Sequence, residues 1–215
     1  MKNYYFIYLT VIIINFLASL TVYGRKENPV YLKVFPVFLL VTLLIELIAL
    51  KRADNGNSNL FLYSLFSTAE FTFYLYFFSC VLKGGAKKAA FYTMFVYACV
   101  ALANIFFIQG TKVFHTYTFM LGCSLIIWFG ASYFFQLVKA PQTGKLTRSP
   151  IFWITSALMI YYCCDLPVFG ILNYITTLSQ KTYSGLLFVY NLMNIILYSL
   201  FTVAFLCRIN IRKHT

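Results

Sequence analysis

Seven long apolar stretches alternate with short polar connectors along this chain, at residues 4–23, 34–50, 60–82, 89–108, 114–138, 151–172 and 184–206. A helix rises about 1.5 Å per residue, so roughly 20 apolar residues cross the hydrocarbon core of a bilayer. Each stretch is of that order. The connectors hold residues that stop helices: Pro29, Asn55-Gly56, Gly84-Gly85, the segment 141–144 and Ser149-Pro150. The pattern predicts an all-α fold, a polytopic integral membrane bundle of seven transmembrane helices forming one domain over residues 1–215. No connector is long enough to fold separately.

Composition narrows the class. The chain is 61% hydrophobic and only 10% charged, against about 25% charged in an average soluble domain. A net charge of +12 would point to nucleic acid in a soluble protein. Here the basic residues sit in short connectors, so the expected partner is the lipid bilayer, and nucleic acid is excluded. Their distribution sets an orientation. Twelve fall on one side: Arg25, Lys26 and Lys33; Lys83, Lys87 and Lys88; Lys139, Lys145 and Arg148; Arg208, Arg212 and Lys213. Five fall on the other: Lys2, Lys51, Arg52, Lys112 and Lys181. The richer side is cytoplasmic by the positive-inside rule. The N-terminus is then outside and the C-terminus cytoplasmic, and a bacterial inner (cytoplasmic) membrane is the expected location. A signal peptide ending near Ala18-Ser19 would leave six spans and turn the richer face outward, against that rule. The six cysteines, Cys80, Cys99, Cys123, Cys163, Cys164 and Cys207, lie in or beside apolar runs and are expected to be reduced core residues.

Five acids occur in all, and three of them fall inside spans: Glu46, Glu70 and Asp165. A charge at mid-bilayer costs about 2.5–3.5 kcal/mol on insertion scales, so such a residue faces the bundle interior and marks a site. From the helix rise, Glu70 lies about 15 Å below the outer surface, Asp165 about 12 Å and Glu46 about 6 Å. Asn191, Asn194 and Asn104 fall in the same outer half, with His115 at its mouth as an interfacial residue. Helical spacing makes the stripes converge: Tyr63, Ser67, Glu70 and Tyr74 share a face of the third span, Thr155, Tyr162 and Asp165 of the sixth, and Asn191, Asn194 and Tyr198 of the seventh. The sequence therefore predicts an outward-facing polar pocket whose ligand-binding residues are Glu70, Asp165, Glu46, Asn191, Asn194, Tyr162, Asn104 and Tyr63. No Lys or Arg lies deep in a span to neutralise the acids. The expected guest is a small molecule or cation from the outer face. Asn and Tyr on interior faces also serve simply to bind helices together, and that reading competes for each of them singly.

Pro167 and Gly170 suggest a gate. Proline removes a helical donor and clashes one turn back, so the sixth span is expected to kink beside Asp165 and free backbone carbonyls, as irregular helices do at transporter sites. Pairs of histidines at metal-ligand spacing, nucleophile elbows and phosphate loops are absent, so the sequence calls for no cofactor and no metal, and an enzyme ranks last. In architecture, seven spans with the N-terminus outside resembles the sugar transporters of the SWEET family, built as three plus one plus three helices. Leu62-Tyr63-Ser64-Leu65 aligns with Val189-Tyr190-Asn191-Leu192, and Glu46 and Asp165 each sit in a middle helix. The two matches need different registers, and Pro141-Gln142 falls in a connector, so no residue role follows from the resemblance. The leading expectation is a small-solute or proton-coupled transporter. The alternatives are a receptor or sensor that engages a cytoplasmic protein partner through the basic loops at 83–88 and 139–148, and a structural subunit of a membrane complex.

Overall fold

The computed structural model describes residues 2–24, 27–139, 146–174 and 180–207, with all their side chains except those of residues 2–5, 172–174, 180–181 and 183. The basic residues Arg25, Lys26, Lys145, Arg208, Arg212 and Lys213, the side chains of Lys2 and Lys181, and the connector 141–144 lie outside the described residues. Among those described there are seven long helices: α1 (Lys2–Ser19), α2 (Val30–Asp54), α3 (Leu60–Val81), α4 (Gly84–Ala103), α5 (Thr116–Lys139), α6 (Pro150–Tyr174) and α7 (Gln180–Leu206). Several helices outrun the apolar stretches that announced them. α2 begins at Val30 and takes Lys33 into its first turns. α4 begins at Gly84 and includes Lys87 and Lys88. Hydropathy marks where apolar surface ends, whereas backbone hydrogen bonds continue into the polar ends.

Five segments are long and apolar enough to cross a membrane: Val30–Asp54, Gly84–Ile108, Thr116–Lys139, Pro150–Ile171 and Ser184–Leu206. α1 contributes a shorter apolar stretch, Phe6–Val22. α3 is long enough at 22 residues, but Glu70 and its rows of Ser, Thr and Tyr dilute its hydropathy. The cause is its position. α3 packs on α2, α4 and α5, and its rings reach α6 through Phe71 and Tyr162 (5.1 Å between centroids) and α7 through Tyr74 and Phe201 (6.4 Å). A helix surrounded by helices has little surface for lipid. The remaining neighbours are α1 with α2 and α7, α7 with α6, α6 with α5, and α5 with α4, so α1, α2, α3, α5, α6 and α7 close a ring with α4 packed outside α3 and α5.

The outward surface is apolar. Phe107 is 87% exposed and Trp128 70%, and such exposure on many helices exceeds what a soluble monomer tolerates. The apolar helices thus point to contact with a lipid bilayer. Inside, small residues admit large ones. A Cβ on Gly122 of α5 would lie 2.7 Å from the Phe71 ring, and one on Gly130 would meet the Met159 side chain. Turn chemistry fixes the ends. α2 closes with the Gly56 N–H on the Ala53 carbonyl and the Asn57 N–H on the Arg52 carbonyl, with Gly56 at φ +72°. That paired arrangement needs a left-handed residue after the helix. At the opposite end of the bundle, the Gln136 amide of α5 pairs with both groups of the Lys83 backbone, accepting at 3.0 Å and donating at 3.2 Å, and so holds the α3–α4 turn.

α6 remains helical through Pro167. The lost donor is a single hydrogen bond, the proline ring is exposed on the outer side, and the segment beyond is held by packing. Phe169 lies 4.3 Å from Phe119 and 5.6 Å from Phe114, ring to ring. α4 ends in a π-helical turn over Asn104–Ile108 closed by the Gln109 N–H on the Asn104 carbonyl at 2.8 Å. Nothing in the apolar pattern marked it. The cysteines are free as expected, but Cys123 alone is buried; Cys99 and Cys163 are exposed on the outer surface.

Candidate functional site

The three intrahelical acids stand on three different helices and share one interior. Glu46 of α2 is buried, and its carboxylate accepts the Tyr8 hydroxyl of α1 at 2.9 Å and the Tyr63 hydroxyl of α3 at 3.2 Å. Two phenols from flanking helices therefore clamp one carboxylate. These two bonds tie α1, α2 and α3 together.

Glu70 sits seven residues, two turns, below Tyr63 on the same face of α3 and accepts the Tyr74 hydroxyl at 3.0 Å. It keeps some accessible surface, as do Tyr63, Tyr190 and Asn191. The charges of Asp165 and Glu46 both act on Glu70. Tyr162 is the piece between: wholly buried, its ring 6.1 Å from that of Tyr74, it lies within electrostatic reach of both Glu70 and Asp165. Asp165 is 1% exposed, and neither of its oxygens nor the Tyr162 hydroxyl makes a hydrogen bond. Tyr161, one turn back on α6, reaches toward Asp165 without bonding geometry. Buried polar atoms are nearly always paired, so three unpaired ones side by side mark this spot. No Lys, Arg or His among the described residues acts on Glu70 or Asp165.

α7 completes the enclosure. Tyr190 lies within reach of Asp165 and Glu46, and Tyr198 stands 6.0 Å from Tyr8, ring to ring, within reach of Glu70 and Glu46. Asn191 and Asn194 each donate their amide to a carbonyl one turn back, Leu187 at 2.7 Å and Tyr190 at 3.0 Å. The other half of the bundle is filled by Phe: Phe35 meets Phe73, Phe77, Phe201 and Phe205 edge-on.

Asn104 belongs to a separate network on the α4–α5 side. Its amide donates to Gln109 Oε1 at 2.6 Å and to Thr118 Oγ1 at 3.1 Å. Thr118 Oγ1 lies 2.7 Å from His115 Nδ1, and His115 Nε2 lies 2.6 Å from Ser67 Oγ. Both hydroxyls also reach a backbone acceptor, Ser67 the Tyr63 carbonyl at 2.7 Å and Thr118 the His115 carbonyl at 3.3 Å. His115 is completely buried in the connector before α5, not at the interface as its position in the sequence suggested. Burial pulls its pKa down to about 4. Because the unfolded value is about 6.5, its share of stability is complete above that pH and is lost as pH falls toward 4. Removing the ring in His115→Ala breaks two hydrogen bonds while Ser67 and Thr118 keep backbone acceptors. Each such bond in a bilayer contributes about 0.6–1.7 kcal/mol, so the expected loss is about 1–3 kcal/mol in a detergent unfolding titration. His115→Gln, which can still reach Ser67, should lose less.

The sequence reading missed one whole wall. Tyr8, Ile12, Asn15 and Ser19 form the buried face of α1, at steps of four, three and four. The same helical spacing carries this face, but no acid lies in α1 to mark it. Asn15 is fully buried, and neither amide atom makes a hydrogen bond. Among the described residues, no three His, Cys, Asp or Glu side chains are placed to hold one metal ion. No protein-family model, curated protein or solved structure matches the chain.

Proposed function

We propose that this protein is a seven-span, single-domain membrane transporter for a small cationic solute or protons, with its N-terminus outside. The observation that carries this reading is the meeting of Glu46, Glu70 and Asp165, from α2, α3 and α6, inside a helical bundle. An acid kept in the interior of an apolar bundle is costly and is retained where it handles ions. Glu46 is clamped by two phenols and serves as a fixed support. Glu70 and Asp165, which no described cation neutralises, bind or exchange the moving charge. Tyr162, Asn191 and Asn194 orient it. Pro167 and Gly170 of α6 serve as the gate. Orientation in a cytoplasmic membrane follows from the basic residues. Among the described side chains, Lys33, Lys83, Lys87, Lys88, Lys139 and Arg148 belong to the cytoplasmic end, and Lys51, Arg52 and Lys112 to the other.

The test is flux in proteoliposomes holding the purified full chain and a trapped pH-sensitive dye, driven by an imposed potential. Wild type should acidify or alkalinise the lumen faster than empty vesicles. The Glu70→Gln, Asp165→Asn double variant should lose at least tenfold of that rate. Wild-type vesicles no faster than empty ones, or a double variant at full rate, would refute transport.

A further inference from the structure

We infer that the bundle interior binds a small organic cation bearing a primary ammonium group, seated between Glu70 and Asp165 against the rings of Tyr74 and Tyr162. This deepens the transport reading and rests on the same site.

At the site, carboxyl oxygens outnumber the donors bonded to them. Asp165 offers two buried oxygens without a hydrogen bond in good geometry, and the Tyr162 hydroxyl, one turn back on the same helix and within electrostatic reach, is also buried without one. Glu70 has Tyr74 on one oxygen, at 3.0 Å, and retains accessible surface. A guest that satisfies this set must bring several donors and positive charge. A primary ammonium has three donors and no acceptor. The walls suit its charge as well. Tyr74 and Tyr162 meet at 69° with centroids 6.1 Å apart, and Tyr161 meets Tyr162 at 87° and 4.9 Å. Such corners present ring faces to a cation, and a desolvated cation–π contact contributes about 2 kcal/mol.

The same geometry disfavours two other cations. A metal ion needs several oxygens converging on one point, and the described acids do not converge in that way. A quaternary ammonium would find the rings but has no N–H to give, so the oxygens of Asp165 and the hydroxyl of Tyr162 would stay unpaired.

Thermal unfolding and intrinsic tyrosine fluorescence of the purified full chain, at constant pH and ionic strength, decide the matter. Ethylammonium and butylammonium chloride should raise the unfolding temperature by several degrees, saturating at millimolar concentration. Half-saturation should weaken at least tenfold in Asp165→Asn and three- to tenfold in Tyr162→Phe, which removes one hydroxyl and leaves the ring. Sodium and tetramethylammonium chloride should give no saturable response. An equal response to either of those salts, no response to the alkylammoniums, or undiminished affinity in Tyr162→Phe would overturn the inference. Alkylammonium binding without flux in the proteoliposomes would refute transport but not this ligand class. Proton flux without alkylammonium binding would do the reverse.

Discussion

Truncating Phe71 to Ala should cost the bundle about 3–5 kcal/mol, the range for removing a fully buried aromatic ring. Phe71 is 0% exposed and joins four helices. From α3 its ring meets Tyr97 of α4 at 5.6 Å, Phe119 of α5 at 5.3 Å and Tyr162 of α6 at 5.1 Å, centroid to centroid. Its place depends on a missing side chain, because a Cβ on Gly122 would stand 2.7 Å from the ring. With rings on its other sides, Phe71 has nowhere to move. Gly122→Ala should therefore cost about 1–3 kcal/mol by overpacking. In the double variant, Phe71→Ala with Gly122→Ala, the new methyl occupies vacated space. The double should then be at least about 1 kcal/mol more stable than the two single losses imply. Unfolding titrations of the four proteins in detergent give the cycle, and strict additivity would mean that ring and glycine are not in contact. Gly130→Ala is the contrast. It meets Met159, a flexible side chain that can yield, and should be the milder of the two glycine changes.

Helical periodicity carried the fold and part of the site, for one physical reason: both are written in which face of a helix avoids lipid. The stripe Tyr63, Ser67, Glu70, Tyr74 was readable because four polar groups on one face of an apolar helix can only point inward. The bond from Tyr74 to Glu70 is a direct consequence of their four-residue spacing. Partners across helices were not readable in the same way. Spacing puts Glu46 on the interior face of α2, but that Tyr8 of α1 and Tyr63 of α3 would clamp it depends on the order of helices around the ring. Asn104 and His115 show the same limit. Their partners come from α3, α5 and the connector, and the π-helical turn that aims Asn104 has no signature in hydropathy. Pro167 sits inside a helix that continues beyond it, and the rings of Phe114 and Phe119 pack on Phe169 just after it.

Asp165→Leu is expected to make the protein more stable while abolishing binding and transport. Leucine reproduces the branching of aspartate at Cγ, so it fills the same space without the two oxygens. Those oxygens are buried without a hydrogen bond, and an unpaired buried polar group costs about 1–3 kcal/mol, more when charged. Removing them should raise stability by that order, whereas flux and alkylammonium binding fall to background. Glu46→Leu should have the opposite sign. Its carboxyl is engaged by Tyr8 and Tyr63, so its loss removes two hydrogen bonds and loosens α1 from α2 and α3, at a cost of about 2–4 kcal/mol. Unfolding midpoints of the two variants against wild type should therefore lie on either side of it. Two acids in one interior, alike in charge, then separate by role. The one whose removal weakens the bundle is part of its frame, and the one whose removal strengthens it is held there for function, at the expense of stability. If Asp165→Leu unfolded as easily as Glu46→Leu, Asp165 would be bound into the frame as well, and the case for a ligand between α3 and α6 would fail with it.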